Sequence, residues 1–367
     1  VAQVKDFEPM KYGLDRGDVR KWDLFCQYGM AAAYQAMNDS GLKSGENIQA
    51  DRLGVYVGSG IGGMDVFVKE TTKLLQEGPN RISPLFVPTL IANMASGNIA
   101  IKHQAEGPCL PVVTACATGT HAIGEAYRAI SYGMADAIIA GGTEAAVQPI
   151  AIGGFANSKA LTNAQHLEEA CTPFDARRSG FTMAEGAGIV ILEEYEHAIK
   201  RGAHIYAEVV GYGNTCDAHH YTAPRADAIP ASRAIKLALQ EASYSENDLL
   251  YINAHGTSTP LNDKTETKAI KLALGEDLAY KALISSTKSM TGHMLGAAGA
   301  VEVIACAMAL KDGVVPPTIN YQVPDPECDL NYVPNVAVEQ PISLAISNSL
   351  GFGGHNACVA LRRCNYE

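Results

Sequence analysis

The sequence has few aromatic residues and a shortage of positive charge. Phe, Trp and Tyr make up 7% of its 367 residues, and 28 Lys and Arg stand against 39 Asp and Glu, which gives a net charge of −11. Nucleic acids and anionic membranes are held mainly by basic surfaces, so neither is expected as a main partner. No apolar run approaches the roughly 18 residues of a membrane-spanning helix.

Paired cysteines and metal-binding spacings are also missing. The nine Cys residues form no CxxC pair, and the only close His pair is His219–His220. Scattered free thiols favour a reducing compartment over a disulfide framework, and zinc binding is not expected. Residues 1–13 lack the apolar core of a signal peptide, so a cytoplasmic location is expected. Because the sequence has no initial Met, we expect its true beginning to be absent.

Small and apolar residues dominate what is present. There are 35 Gly, and 47% of the residues are hydrophobic, enough for two core-forming units or one large composite domain. Nearly continuous apolar strands alternate with helices, which predicts an α/β fold with parallel-type sheets covered on both faces. Strands are predicted at 52–58, 111–115, 137–140, 188–193, 207–213, 249–254, 283–286, 344–348 and 357–362, and helices at 23–42, 118–132, 196–201, 231–242 and 297–310.

The same order of elements runs twice, with a junction near Arg201. Cys116 and the helix after it resemble His293 and the helix after it, since each pair shows a strand, a Thr/Gly loop and a small-residue helix. No Pro/Ser-rich linker separates the two parts. We therefore predict two intimate halves, at residues 1–201 and 202–367.

A thiol lies in the segment TACATGTHAIG around Cys116. Its predicted place, where a strand passes into a helix, exposes it to the positive end of the helix dipole, which is expected to lower the thiol pKa. The alternative is a small structural cysteine in a tight junction. Cys109, Cys306 and Cys358 lie in apolar contexts and are expected to be core residues of that kind.

Two imidazoles lie in the segments NAHGTSTP around His255 and STKSMTGHMLGAAGAVE around His293. His255 follows a predicted strand, from which it would project into a crevice. His293 lies near a predicted helix start, where a neutral imidazole can donate to an oxyanion. For either residue alone, a structural role is an equal alternative. His121 and four others are expected at surfaces or helix faces.

Three further residues could support this chemistry. Lys288 and Glu302 flank His293 and could orient it as a buried pair, although two solvated charges are an even alternative. Phe352 lies among glycines in GFGG, and its N–H, together with that of Cys116, could form an oxyanion hole. The alternative there is a tight connection between strands. A thiol with neutral donors for a developing enolate is the combination that thioester chemistry requires.

At these residues the chain resembles the elongating β-ketoacyl-acyl-carrier-protein synthases of types I and II, with type II the closest. The resemblance runs from about Val4 to Leu361. The Cys-His-His set differs from the Cys-His-Asn set of type III and chalcone-type enzymes and from the second active-site Cys of thiolases. Supporting segments are RKWDLFCQYGMAAAYQAMNDSGL, GSGIGG, ISPLFVPTLIANMASGNIA, AGGTEA, PFDARRSGFTMAEGAG, EVVGYGNTCDAHHYTAP and NSLGFGGHN.

The resemblance implies a thiolase-like fold with five layers, α-β-α-β-α, and a homodimer. It also implies that a first strand is missing, central in the N-terminal sheet. By position it assigns acyl-tunnel contacts to Ile61 and Phe155, a tunnel contact from the partner subunit to Ile91, a gating role to Phe352, phosphopantetheine contacts to Thr257 and Thr259, and carrier-protein docking to Arg16, Arg20 and Lys21.

The activity implied is decarboxylative condensation of acyl- and malonyl-loaded acyl carrier protein, with Cys116 as nucleophile and both His as enolate donors. No cofactor is expected, and the compartment is the bacterial cytoplasm or an organelle of bacterial origin. One alternative is a ketosynthase of polyketide or other specialised assembly. Others are a non-condensing carrier-binding or decarboxylating partner, which the presence of Cys116 opposes, and a cysteine hydrolase.

Overall fold

A computed structural model describes residues 1–364. The strands are β1 (Leu53–Gly58), β2 (Ala137–Glu144), β3 (Gly186–Glu193), β4 (Glu208–Cys216), β5 (Leu250–Asn253), β6 (Leu283–Ser285), β7 (Val314–Val315), β8 (Val338–Glu339), β9 (Leu344–Gly351) and β10 (His355–Arg362). The helices are α1 (Arg16–Lys21), α2 (Leu24–Ser40), α3 (Met64–Glu77), α4 (Phe86–Leu90), α5 (Met94–His103), α6 (Thr118–Ser131), α7 (Pro149–Asn157), α8 (Tyr195–Lys200), α9 (Ile229–Glu241), α10 (Pro260–Leu274), α11 (Glu276–Lys281), α12 (Lys288–Thr291) and α13 (Ala298–Asp312).

Two mixed sheets form the centre of the molecule. The first has the order β1-β2-β3, with β1 parallel and β3 antiparallel to β2. The second has the order β4-β10-β9-β5-β6, in which β5 runs parallel to β9 and β6, while β10 is antiparallel to both neighbours. The sheets are therefore not purely parallel as predicted. The three residues between β9 and β10 allow only an antiparallel hairpin, since a parallel connection needs a dozen or more.

Helices cover both faces of each sheet, as the apolar strands predicted. α2 and α5 pack on the outer face of the first sheet, α6 and α13 lie between the sheets, and α9 with α10 cover the outer face of the second. The result is the expected five layers, α-β-α-β-α. Within residues 1–364, no helix combines the length and the hydropathy needed to cross a membrane.

The two central helices begin in the same way. A 3-10 turn at Ala115–Ala117 precedes α6, and one at Leu295–Ala297 precedes α13. Ala115 and Leu295 both have φ of +50°. The repeat predicted from sequence is therefore present in the helices, but the structural counterpart of Cys116 is Gly296, three residues after His293.

Glycines let the two central helices approach closely. A Cβ on Gly119 would lie 2.7 Å from the backbone nitrogen of Ala300, and one on Gly299 would lie 2.0 Å from Thr120 Oγ1. Neither position can hold a larger residue without displacing its neighbour. This contact brings the loops that precede α6 and α13, and therefore Cys116 and His293, to the same side of the molecule.

The predicted strand at 111–115 does not form. The single bridge to β1, between Val55 and Cys109, lies just before this stretch, and Pro111 has no N–H to extend it into a ladder. Cys109 is consequently exposed, so its prediction as a core residue is wrong, whereas Cys306 and Cys358 are buried.

The first sheet has no gap for a central strand. β1, β2 and β3 pair directly, so a further strand can extend this sheet only at an edge. The antiparallel strand of the first sheet, β3, is equivalent to β10 of the second sheet. In the second sheet, β4 occupies the edge beside β10. The expectation that the strand before residue 1 is central in its sheet therefore does not fit this pairing.

Candidate active site

Cys116 lies in the strained turn that precedes α6. Ala115 adopts a left-handed backbone conformation, which costs energy for a residue with a Cβ. The hydroxyl of Thr118 holds the turn, since Oγ1 accepts from Thr114 N–H at 2.9 Å and donates to Ala115 O at 2.8 Å. Gly351 packs so closely that a Cβ there would lie 2.7 Å from Thr114 O. The turn is thus fixed between its own helix and the end of β9.

The thiol of Cys116 is more basic than the sequence predicted. Burial raises its pKa to about 12 and is the largest influence; the charge of Lys288 and a hydrogen bond from Phe352 N–H act in the opposite direction, while Glu144 adds to the rise. The expected lowering by the helix terminus is therefore wrong in sign. Desolvation of the buried thiolate outweighs the influences that lower the pKa.

His255 is held through its backbone by a buried carboxylate. Glu266 on α10 accepts the N–H groups of His255 and Gly256, each at 2.7 Å, and Asn348 Nδ2 also donates to it at 2.7 Å. The loop after β5 is thereby fixed, and among residues 1–364 the imidazole has no carboxylate partner of its own.

His293 is fixed by a short ladder with the segment before β3. Its N–H donates to Thr182 O at 2.7 Å, and its carbonyl accepts from Ala184 N–H at 2.9 Å. Its ring stands nearly perpendicular to that of His255, with 5.3 Å between the ring centres. α13 begins at Ala298, so His293 lies near the helix start as predicted, in the loop that precedes its first turn.

Both imidazoles are neutral near pH 7. Burial lowers the pKa of His255 and of His293 well below the usual value, and the positive charge of Lys288 lowers both further. The Nδ1 atom of each ring is buried and, within residues 1–364, has no hydrogen-bond partner. A charged imidazolium would leave that N–H unpaired. A neutral ring whose other nitrogen carries the proton can donate one hydrogen bond, as a developing oxyanion requires.

Lys288 and Glu302 form an ion pair away from solvent. Lys288 Nζ donates to Glu302 Oε1, and the residues are 1% and 2% exposed, which excludes two solvated charges. Burial raises the pKa of the Glu302 carboxyl, while Lys288 opposes that rise. No hydrogen bond joins the pair to the rings of His255 or His293 in the described chain, so its influence on them is through charge.

Seven of the predicted site residues line one cavity of about 320 Å³. Cys116, His255, His293, Phe352, Phe155, Thr257 and Thr259 all line it. Phe155 contacts Phe352 and Phe181, with ring centres 6.3 and 5.3 Å apart, and Phe181 lies 5.2 Å from the His293 ring. The hydroxyls of Thr257 and Thr259 are 2.9 Å apart. The cavity therefore combines an apolar aromatic wall with a polar rim.

Besides Lys288 and Glu302, five predicted site residues lie outside the lining of this cavity. Ile61 packs against the apolar cluster that includes Cys116, Phe155 and Leu295. Ile91 is exposed at the end of α4. Exposed side chains on α1 complete the set, namely Arg16, Arg20 and Lys21. The roles that the resemblance gives to these five remain predictions.

Several lining residues were not singled out from the sequence. Phe181, Asp217, Asn262 and Lys159 contribute to the cavity wall. Phe181 and Asp217 lie inside segments that carry the family resemblance, which is the one signal that could have found them. His121 was expected at a surface or on a helix face; it lies on α6 and is buried, and its Nδ1 is 2.9 Å from Thr114 Oγ1, beside the turn of Cys116.

Among the side chains of residues 1–364, no group of three or more His, Cys, Asp or Glu is placed to hold a metal ion.

Comparisons with known proteins decide the family. Residues 1–198 match the family described as beta-ketoacyl synthase, N-terminal domain, and residues 206–322 match its C-terminal domain. The chain belongs to the beta-ketoacyl synthase family. Among curated relatives of this synthase, the 3-oxoacyl-[acyl-carrier-protein] synthase 2 of Synechocystis sp. is 51% identical over 364 residues, which cover 99% of this chain and 86% of that protein. The protein of the same name from Staphylococcus aureus is 51% identical over 362 residues, covering 99% and 87%.

Three solved structures have folds similar to that of this chain. A type II PKS acyl-carrier protein in complex with its ketosynthase bound to the hexaketide matches with a TM-score of 0.88 and 39% identity, over 93% of this chain and 85% of that chain. The ishigamide ketosynthase/chain length factor matches with a TM-score of 0.90 and 36% identity, over 99% and 87%. A beta-ketoacyl synthase from Burkholderia phymatum matches with a TM-score of 0.90 and 32% identity, over 99% and 88%.

Proposed function

We propose that the protein is an elongating 3-oxoacyl-[acyl-carrier-protein] synthase, which extends fatty acyl chains with malonyl units. The observation that carries the proposal is the convergence of one thiol and two neutral imidazoles on a cavity with an apolar wall. The high identity to proteins named 3-oxoacyl-[acyl-carrier-protein] synthase 2 supports the same activity.

In the first half-reaction, the sulfur of Cys116 attacks the carbonyl of an acyl thioester on the carrier. The new C–S bond forms as the bond to the carrier's sulfur breaks, and the thiol proton leaves with the carrier thiol. Phe352 N–H already donates toward Cys116, and Lys288 lowers the thiol pKa, so both favour the thiolate. The N–H groups of Cys116 and Phe352 then hold the carbonyl oxyanion.

In the second half-reaction, malonyl carrier enters and loses CO2. The enolate that remains on the thioester is stabilised by hydrogen bonds from the neutral imidazoles of His255 and His293. Its carbon attacks the acyl-Cys116 carbonyl, the C–S bond breaks, and the thiolate takes up a proton. Loss of CO2 drives the step forward. The acyl group is carried by sulfur alone, and the mechanism uses no cofactor.

We further infer that the partner is acyl carrier protein, loaded with acyl or malonyl groups, and that the chain acts as a homodimer. Exposed basic side chains on α1 suit an acidic carrier, through Arg16, Arg20 and Lys21. Exposed apolar side chains at Ile91, Leu110 and Val113 suit a face between two copies. A bacterial-type cytoplasmic location and a division of the fold near residue 201 complete the proposal.

The direct test is condensation of purified protein with acyl carriers of increasing chain length and malonyl carrier. The proposal expects 3-oxoacyl product with loss of CO2, and no product from Cys116→Ala. Release of free fatty acid without extension would instead identify a cysteine hydrolase.

A second candidate is a ketosynthase of polyketide assembly, favoured by the match to a ketosynthase bound to a hexaketide. Repeated extension without intervening reduction would identify it. An enzyme of fatty-acid elongation stops after one condensation until its product is reduced.

A further inference from the structure

A fully buried carboxylate beside the nucleophile has no part in the mechanism above. Glu144 ends β2, and its two oxygens accept four hydrogen bonds. Oε1 accepts from Ser59 Oγ at 2.8 Å and Ile61 N–H at 3.2 Å. Oε2 accepts from Gly60 N–H at 2.8 Å and Gly296 N–H at 3.0 Å. Both oxygens are thus fully engaged by protein donors.

The arrangement repeats one in the other half. Glu266 holds two consecutive N–H groups just after β5, those of His255 and Gly256. Glu144 holds two consecutive N–H groups just after β1, those of Gly60 and Ile61. In the second half the held loop presents an imidazole to the cavity. The equivalent loop of the first half carries Ile61, whose side chain packs in the apolar cluster with Cys116.

Glu144 also joins this loop to the other half. Gly296 follows His293 by three residues and is the counterpart of Cys116 in the repeat. A Cβ on Gly296 would lie 2.5 Å from Gly60 N, and one on Gly60 would lie 3.4 Å from Ala115 O. Three segments therefore pack tightly against one another: the loop after β1, the turn of Cys116 and the loop after His293. The Glu144 carboxylate accepts hydrogen bonds from the first and the last of them.

We propose that Glu144 is a positioning residue that fixes the backbone at Ile61 and thereby sets how an acyl chain passes behind Cys116. The proposal rests on the proposed condensing activity. It predicts that Glu144 contributes to acyl chain-length preference, because the tunnel contact predicted for Ile61 would be made by a long acyl chain and not by a short one.

Glu144→Gln is the informative change because it keeps the size of the side chain. In one orientation of the amide, its NH2 group faces the donors Ser59 Oγ and Ile61 N–H. In the other orientation, it faces the N–H groups of Gly60 and Gly296. At least one backbone donor loses its acceptor in either case. Glu193→Gln is the matched control, since Glu193 is also largely buried and paired, with Arg201, but lies at the opposite end of the same sheet.

The measurement is kcat/KM for acyl transfer to the protein from a butanoyl and a tetradecanoyl carrier. Glu144→Gln is expected to lower the long-to-short ratio about tenfold, while Glu193→Gln leaves it unchanged. Equal loss for both chain lengths, or no loss, would overturn the proposal. If Glu144→Gln does not fold, Ser59→Ala, which removes one of the four donors, must shift the ratio in the same direction. Absence of condensation by the wild-type protein would instead refute the proposed function.

Discussion

Removal of the buried amine at Lys288 should expose how much the molecule depends on the Lys288–Glu302 pair. In Lys288→Met, the Glu302 carboxyl stays 2% exposed and loses its only donor in the described chain. Breaking such a pair from one side costs about 3–5 kcal/mol. Unfolding entropy of about 2.1 cal/mol/K per residue, over 367 residues, gives about 0.8 kcal/mol/K, so Tm should fall by about 4–6 °C.

The double variant Lys288→Met with Glu302→Met separates charge burial from catalysis. Two apolar side chains of similar volume remove the unpaired charge, and most of the lost Tm should return. Condensation should stay low in both variants, because the charge that lowers the Cys116 thiol pKa is gone. Thermal unfolding followed by circular dichroism and a product assay measure the two effects. An unchanged Tm in Lys288→Met would refute the buried pair.

The remaining predictions concern the thiol and the polar rim. Alkylation of Cys116 by iodoacetamide, followed on its own peptide by mass spectrometry, should rise with pH beyond pH 9, because burial raises the thiol pKa to about 12. A plateau reached below pH 8 would contradict that account. Thr257→Val with Thr259→Val should raise KM for carrier-bound substrates about tenfold and leave iodoacetamide reactivity unchanged, since both hydroxyls line the cavity but neither bonds Cys116. An unchanged KM would remove these residues from substrate binding.

Part of the fold could be predicted because buried strand segments are apolar in the sequence. β5 and the first half of β2, residues 137–140, are buried apolar runs that predict strands directly. The second half of β2 is equally buried but has the sequence GGTE, so the prediction ended at residue 140. α10 was missed because the buried residues of its first half are polar, among them Asp263 and Glu266, and show no apolar stripe. The stretch 111–115 was overpredicted because β-rich composition does not reveal that a proline interrupts the ladder.

The candidate site was predictable as a set of residues but not as a set of environments. Cys116, His255 and His293 were found from their segments and their resemblance, and the structure brings them to one cavity. The pKa shift of Cys116 was predicted with the wrong sign, because the sequence indicates the neighbouring helix but not the segments that bury the thiol. Glu144 and Glu266 were missed because the N–H groups that they hold lie on other loops, and the sequence does not show which loops contact a given carboxylate.

The central claim is that Cys116 carries the acyl group that is then extended. Intact-mass analysis of the protein after incubation with an acyl carrier, followed by addition of malonyl carrier, tests it most directly. The account predicts one acyl adduct, located on the peptide that contains Cys116. That adduct should disappear as a 3-oxoacyl carrier two carbons longer appears. An adduct on another residue, or an acyl-Cys116 that malonyl carrier does not discharge, would contradict it.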